Sequence, residues 1–192
     1  MTDPSRRPTV SVIGNAQLSD GDPRLLLARK TGKILVDYGF AVVTGGMGGV
    51  MHAALEGGRS SSQWTPGHCI SIIPGGEPDA ERVSRAADIV IPTGLDHGRN
   101  MIIAQTDAVI AIGGGAGTLS EMALAWAHRR LLIALRCEGW SGRLAGLRID
   151  ERERYPDIPE DCVYGADAPE EAVALIKSLF PLYRRRHRSI PA

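Results

Sequence analysis

The stretch "AVIAIGGGAGTLSEMALAW", residues 108–126, passes from five apolar residues into a helical pattern through four glycines in five positions. A short apolar run that ends at glycine is typical of a buried strand. Glycine lets the backbone turn sharply and lets another group approach it closely. The stretch therefore predicts a strand, a tight turn and a helix, which is the repeating unit of a parallel α/β sheet.

Similar apolar runs alternate with helical patterns along the chain, as expected for a parallel sheet covered by crossover helices. We predict strands at residues 9–13, 40–44, 68–73, 88–92, 107–112 and 131–135, a short seventh near 162–165, and helices at 24–38, from about 50, and at 169–180. Residues 57–67 are expected to form a flexible loop. The sequence thus predicts an α/β fold with a Rossmann-like, doubly wound, mostly parallel sheet of six to seven strands.

The chain length and charge limit the remaining possibilities. We expect residues 1–192 to form a single domain, with an ordered core at about residues 9–180 and a basic C-terminal tail at 184–192. The 22 basic and 22 acidic residues balance, which argues against a nucleic-acid partner. No stretch approaches the roughly 18 apolar residues of a membrane span, so no membrane partner is expected.

The cysteines indicate a reducing compartment. Cys69, Cys137 and Cys162 are odd in number and far apart, and they show no metal-ligand spacing. The polar N-terminus "MTDPSRRP" lacks the apolar core of a secretory signal. We therefore expect a cytoplasmic protein without a metal site.

Two glycine-rich loops follow predicted strands, where parallel sheets bind their ligands. Glycine loops that enter helices present backbone N–H groups and the positive end of the helix dipole to one point, which favours an anion. The predicted phosphate contacts are Gly45, Gly46, Gly48, Gly49, Gly113, Gly114, Gly115, Gly117 and Thr118. The alternative is that these glycines only permit tight turns.

Arg99, Asn100 and Glu121 are the candidate functional side chains. Arg99 lies with Asn100 in the polar stretch "DHGRNM", and its guanidinium is suited to bind a phosphate or a carboxylate; the alternative is an ordinary surface arginine. Glu121 has two interpretations. It completes a capping box with Thr118 as N-cap, or it is a carboxylate that stabilises a cationic transition state beside the phosphate loop.

The motifs "TGGMGGVM", "GRNM" and "GGGAGTLSE" together resemble the "possible lysine decarboxylase" superfamily, whose best-known members are the LONELY GUY-type cytokinin-activating phosphoribohydrolases. The resemblance covers roughly residues 10–179. It implies that Gly114, Gly115, Gly117 and Thr118 bind a nucleotide phosphate, and that Glu121 and Arg99 complete the site. It gives no lysine for pyridoxal phosphate, so lysine decarboxylation is not expected.

Two positions depart from the hydrolase pattern and favour a sister branch. Gly113 stands where the signature has proline, and Asn100 stands where those enzymes usually have lysine. The pattern looks more like the branch of molybdenum-cofactor carrier proteins, which hold a phosphorylated pterin without acting on it. The resemblance also implies a homo-oligomer, a dimer or tetramer, with Met122 and Trp126 as candidate interface residues.

Three functions follow from these motifs. The first is a carrier that binds molybdenum cofactor, molybdopterin or a purine nucleotide, with Glu121 acting mainly as a helix cap. The second is a nucleoside 5′-monophosphate N-glycosidase that uses Glu121 and Arg99 for catalysis. The third is a nucleotide-sensing module. No resident cofactor is expected beyond molybdenum cofactor as a bound ligand.

Overall fold

Strands and helices alternate along the chain in the computed structural model, which describes residues 6–184. The strands are β1 (Thr9–Gly14), β2 (Ala41–Thr44), β3 (Cys69–Ile73), β4 (Ile89–Pro92), β5 (Ala108–Ile112), β6 (Leu131–Leu135) and β7 (Tyr164–Ala166). The helices are α1 (Pro23–Asp37), α2 (Gly49–Arg59), α3 (Asn100–Ile103), α4 (Ala116–Ala127), α5 (Trp140–Leu144) and α6 (Pro169–Leu179), with 3-10 turns at Asp96–Arg99 and Leu182–Arg184.

The seven strands form one sheet in the order β4-β3-β2-β1-β5-β6-β7, and every neighbouring pair is parallel. The chain winds outward from β1 to β4, then returns to the other side of β1 and winds outward again to β7. The predicted Rossmann-like, doubly wound fold is therefore confirmed. The winding reverses between β1 and β5, and a crevice opens there at the carboxyl ends of the strands.

Successive strand residues point to opposite faces of the sheet, which gives the molecule two cores. In β5, Ala108, Ile110 and Ile112 pack with α1, α2 and α6, whereas Val109 and Ala111 pack with α3, α4 and α5. All five residues are buried, as expected for a parallel sheet covered on both faces.

The Met122 and Trp126 side chains belong to this core, so their predicted role in a subunit interface is wrong. Both are fully buried within a single chain. The Trp126 Nε1 donates to Asp150 at 2.9 Å, and the Arg154 guanidinium lies 3.6 Å from the centre of the indole ring. The helical spacing correctly indicates an apolar face of α4, but this face contacts the chain's own sheet.

Helices α1 and α2 approach each other closely through two glycines. A Cβ added at Gly32 would lie 1.8 Å from the Ala54 carbonyl oxygen, and one added at Gly57 would lie 1.9 Å from the Arg29 carbonyl oxygen. Gly57 is thus part of a packed helix, and the predicted flexible loop begins only after Arg59.

The predicted basic tail lies outside the described residues, except for Arg184. Among residues 6–184, no helix has the length and apolar character to cross a membrane.

We expect Gly32→Ala to destabilise the fold, because overpacking of this kind costs about 1–3 kcal/mol, more than the gain in helix propensity. The midpoint of urea unfolding measures the change. Gly76→Ala is the control, since an added Cβ there meets nothing within 4 Å. Equal midpoints for Gly32→Ala and the wild type would contradict the close approach of α1 and α2.

Candidate functional site

A cavity of about 390 Å³ lies where the winding of the sheet reverses, at the carboxyl ends of β1 and β5. Its walls come from the β1–α1 loop, the start of α2, the segment before α3 and the first two turns of α4. The lining residues are Gly14, Asn15, Ala16, Gln17, Met51, His97, Arg99, Asn100, Gly115, Gly117, Thr118 and Glu121.

Hydrogen bonds within the protein shape the β5–α4 loop. Gly113 and Gly114 have φ values of +65° and +98°, a region that favours glycine. The Gly113 N–H donates to Ser141 Oγ at 2.7 Å, and the Gly114 N–H donates to Asn15 Oδ1 at 2.6 Å. Neither Gly113 nor Gly114 is among the residues that line the cavity. Both glycines shape the loop, and their N–H groups already donate to protein oxygens.

The amides that remain for a ligand belong to the first turn of α4. This helix begins at Ala116 with Gly115 as its N-cap, and no side chain caps it. The first amides of any helix lack partners within the helix, and no described residue accepts from those of residues 115–118. Gly115, Gly117 and Thr118 line the cavity, so the unpaired donors and the positive end of the helix dipole face it.

The Arg99 side chain is buried at the cavity wall, with 9% of its surface exposed. Its Nη1 donates to Asn100 Oδ1 at 2.5 Å, while its Nε is buried without a hydrogen-bond partner. Burial lowers the pKa of Arg99, and the carboxylates of Glu121 and Asp96 oppose this change. Because a guanidinium stays protonated in proteins, the wall carries a buried positive charge with spare donor capacity.

Asn100 ties the Arg99 segment to α4. Its Nδ2 donates to Ser120 Oγ at 2.8 Å, and Ser120 Oγ donates to the Gly117 carbonyl at 2.7 Å. This chain of hydrogen bonds connects the residue beside Arg99 to the first turn of α4. The guanidinium and the unpaired amides are therefore held on walls of the same cavity.

The Glu121 side chain faces this cavity and does not cap its helix. Because α4 begins at Ala116, Thr118 is its third residue and Glu121 its sixth, so the capping-box interpretation is wrong. Glu121 is only 7% exposed, and its side chain has no hydrogen bond within the described residues. Burial raises the pKa of Glu121 to about 7, although the nearby Arg99 charge lowers it.

The glycines of the β2–α2 loop do not line the cavity, and each has a packing role. A Cβ at Gly45 would lie 2.8 Å from Arg99 Nη2, and one at Gly46 would lie 2.8 Å from the Ser71 side chain. Gly48 and Gly49 leave similarly little space beside the backbone of the β1–α1 loop. Direct contact of Gly45, Gly46, Gly48 and Gly49 with a ligand stays a prediction.

The last residue of β1 and the loop after it, residues 14–17, are the part of the cavity lining that the sequence did not indicate. It contains the stretch "GNAQ", without a glycine-rich motif or a charged side chain. The sequence offered one indication of its role: the stretch follows the first strand, which lies at the centre of a sheet of the predicted fold. No group of three or more His, Cys, Asp or Glu side chains able to hold a metal is found among residues 6–184.

The sequence profile of the SLOG cluster4 family matches residues 7–172, most of the chain. This chain belongs to that family. Membership of SLOG cluster4 agrees with the LONELY GUY-like motifs in residues 44–51, 98–101 and 113–121. The resemblance to this superfamily, and within it to the molybdenum-cofactor carrier branch, is confirmed.

Two solved structures resemble this SLOG cluster4 chain over nearly its whole length. The molybdenum cofactor binding protein of the phototrophic bacterium Rippkaea orientalis is 33% identical, with a TM-score of 0.73, over 91% of this chain and 98% of that one. The molybdenum cofactor carrier protein of Chlamydomonas reinhardtii is 27% identical, with a TM-score of 0.71, over 91% and 99% of the two chains.

A hydrolase-like relative matches a shorter part of the SLOG cluster4 chain. The probable cytokinin riboside 5′-monophosphate phosphoribohydrolase LOGL5 of Oryza sativa subsp. japonica is 32% identical over 111 residues. The match covers 54% of this chain and 42% of that protein.

We expect Glu121→Gln to remove a pH dependence of stability. Because the folded-state pKa of about 7 exceeds the ordinary value of 4.5, the acid form stabilises the fold fully below pH 4.5. This contribution, about 3 kcal/mol, is lost as the pH rises to 7. Glutamine mimics the acid form, so the variant should gain about that much relative to the wild type between pH 4.5 and pH 8.

Urea unfolding at pH 4.5, 6 and 8 measures this difference. Glu81→Gln is the control, because Glu81 is exposed and is not among the residues that line the cavity. A free-energy difference between Glu121→Gln and the wild type that stays constant with pH would show that Glu121 is not held in a desolvated environment.

Proposed function

We propose that this protein binds a phosphorylated small molecule in the cavity between β1 and α4, and that it acts as a carrier of molybdenum cofactor or molybdopterin. One observation supports this proposal most strongly. The unpaired amides at the start of α4 and the buried guanidinium of Arg99 line the same cavity. Both groups favour an anion that presents several oxygen atoms, and a phosphate monoester has that chemistry.

The Arg99 side chain supports a preformed phosphate site. A buried charge normally needs a partner, yet the Arg99 guanidinium donates only to Asn100 within the described residues, and its Nε has no partner. A ligand phosphate would complete the electrostatic environment of this side chain. Charge-assisted hydrogen bonds from arginine to phosphate are about twice as strong as neutral ones.

The choice of a pterin cargo rests on the relatives. The two solved structures that match this chain almost end to end are described as molybdenum cofactor binding and carrier proteins. The glycines of the β2–α2 loop remain candidate contacts for the same ligand. A cytoplasmic location also stays a prediction from the widely spaced cysteines.

The orientation of Glu121 supports an alternative function, N-glycosidic hydrolysis of a nucleoside 5′-monophosphate. A buried carboxyl group with a pKa of about 7 is present as acid and as base at neutral pH, which suits general acid–base catalysis. Water would supply OH to ribose C1′ and a proton to the departing base. Glu121 would stabilise the cationic sugar or activate the water, and Arg99 would hold the phosphate.

Glu121→Gln separates the two functions. A carrier binds its ligand at least as tightly in this variant, because the substitution removes a negative charge near the phosphate. A hydrolase loses release of free base by about a hundredfold or more, as expected for loss of a general acid or base. Chromatography after incubation with each common nucleoside 5′-monophosphate measures the release of free base. Mass spectrometry of the small molecules that the protein releases on denaturation identifies any retained pterin.

Arg99→Gln tests the binding site that both functions share. We expect this variant to lose the ligand in either case, while Glu81→Gln retains it. A wild-type protein that retains no pterin, binds no nucleotide and releases no base would contradict both functions.

We also propose that the protein forms a homo-oligomer through an apolar surface on β3 and β4, at the edge of the sheet. Ile89 and Ile91 are 43% and 45% exposed, and they share one face of the sheet with Ile70 and Ile72 through the parallel register. Helix α3 has only four residues and leaves this face of β4 uncovered. A second copy of the chain would cover it, because parallel sheets are normally buried on both faces.

We expect Ile91→Asp to shift the protein toward the monomer, because a carboxylate at this position must be desolvated in an interface. Light scattering after size-exclusion chromatography gives the mass of each species. Glu81→Gln is the control for the assembly. A wild-type protein that is monomeric at micromolar concentration would contradict the proposed assembly.

A further inference from the structure

Asn15 lies at the end of the central strand, where three loops meet. Its Oδ1 accepts the Gly114 N–H at 2.6 Å, and its backbone carbonyl accepts the Val50 N–H at 2.9 Å. A Cβ added at Gly49 would lie 2.2 Å from the Asn15 carbonyl oxygen. Asn15 therefore contacts both glycine-rich loops as well as its own.

The hydrogen bond with Gly114 fixes the orientation of the Asn15 amide. A backbone N–H can only donate, so the atom it contacts must be the side-chain oxygen. The NH2 group then occupies the opposite end of the planar amide. This group donates no hydrogen bond within residues 6–184, although Asn15 lines the 390 Å³ cavity.

The cavity thus combines three kinds of unpaired donor. The amides of residues 115–118 lack acceptors, the buried Arg99 Nε has no partner, and the Asn15 Nδ2 is unused. The Gly113 and Gly114 amides belong to a different set, because Ser141 and Asn15 already accept from them. A ligand phosphate is therefore expected against α4 and Asn15, and away from the first two glycines of the loop.

We propose that Asn15 is a bifunctional residue of the phosphate site, which holds the β5–α4 loop through its Oδ1 and donates to a ligand phosphate oxygen through its Nδ2. This inference rests on the proposed function, since it assumes a phosphorylated ligand in the cavity. The side-chain oxygen accepts a hydrogen bond from the protein, and the side-chain nitrogen donates one to the ligand. One side chain therefore couples the shape of the loop to recognition of the anion.

Asn15→Asp separates the two roles. The carboxylate keeps an oxygen acceptor for the Gly114 N–H but replaces the donor with a negative charge. We expect thermal stability and slow hydrogen exchange at the Gly114 amide to be retained. The affinity for adenosine 5′-monophosphate and for inorganic phosphate should fall about 10- to 100-fold, the range expected for a lost hydrogen bond to a charged group.

Asn15→Ala and Gln17→Glu complete the comparison. Alanine removes both atoms, so it should weaken phosphate binding and also accelerate exchange at the Gly114 amide. Gln17→Glu makes the same amide-to-carboxylate change at another lining residue, and therefore measures the general effect of charge. We expect Asn15→Asp to weaken phosphate binding more than Gln17→Glu does.

Isothermal titration with the two phosphate probes and amide exchange by NMR give the required measurements. Binding by Asn15→Asp within about twofold of the wild type, or a loss no greater than that of Gln17→Glu, would overturn the donor role. Unchanged exchange at Gly114 in Asn15→Ala would overturn the loop-holding role. A wild-type protein that binds neither probe would count against the proposed function and the donor role together, while the exchange data would still decide the loop-holding role.

Discussion

The reversal of winding between β1 and β5 is the constraint on which the candidate site depends. Chain segments that leave these two neighbouring strands must run to opposite faces of the sheet, so their loops separate at the carboxyl edge. The space between the loops becomes the cavity lined by Asn15, Arg99 and Glu121. The sheet order therefore decides which loops meet, and the loop sequences decide which chemical groups they present.

Two ionisable side chains share this cavity under opposing forces. Burial favours the neutral form of each group, whereas the attraction between Arg99 and Glu121 favours the charged forms. For Glu121 burial dominates, and its pKa rises to about 7. A buried carboxyl group whose pKa is raised lowers the free energy of unfolding at neutral pH, because its charged form is poorly solvated. Such a cost is typical of functional sites and less typical of structural ones.

The sequence was sufficient to predict the sheet and to single out half of the residues that line the candidate cavity. Apolar runs mark buried strands directly, and the glycine-rich turn before α4 marks the ligand side of β5. Arg99, Asn100, Gly115, Gly117, Thr118 and Glu121 line the cavity, as the positions of these motifs indicated. The sequence could bring these residues to one place because each position depends on neighbours that are local in sequence or on the edge of the sheet to which a strand leads, while their binding of a ligand stays a prediction.

The errors arose where the result depends on packing between distant segments. The Thr118 capping box fits the sequence, but Gly115 lets α4 begin two residues before that threonine. Trp126 was expected at a subunit interface, but the buried Arg154 of the same chain lies over its ring. The contribution of Asn15 was invisible because its partners, Gly114 and Val50, lie 99 and 35 positions away in the sequence.

The pKa of Glu121 near neutrality has a thermodynamic consequence for the proposed ligand. A phosphate monoester carries close to two negative charges at pH 7, so its binding beside Glu121 would disfavour the carboxylate further. The carboxyl group would then take up a proton from the buffer as the anion binds. Binding and release of the anion would thereby be linked to proton exchange with the surroundings, and the apparent affinity would fall as the solution becomes more alkaline.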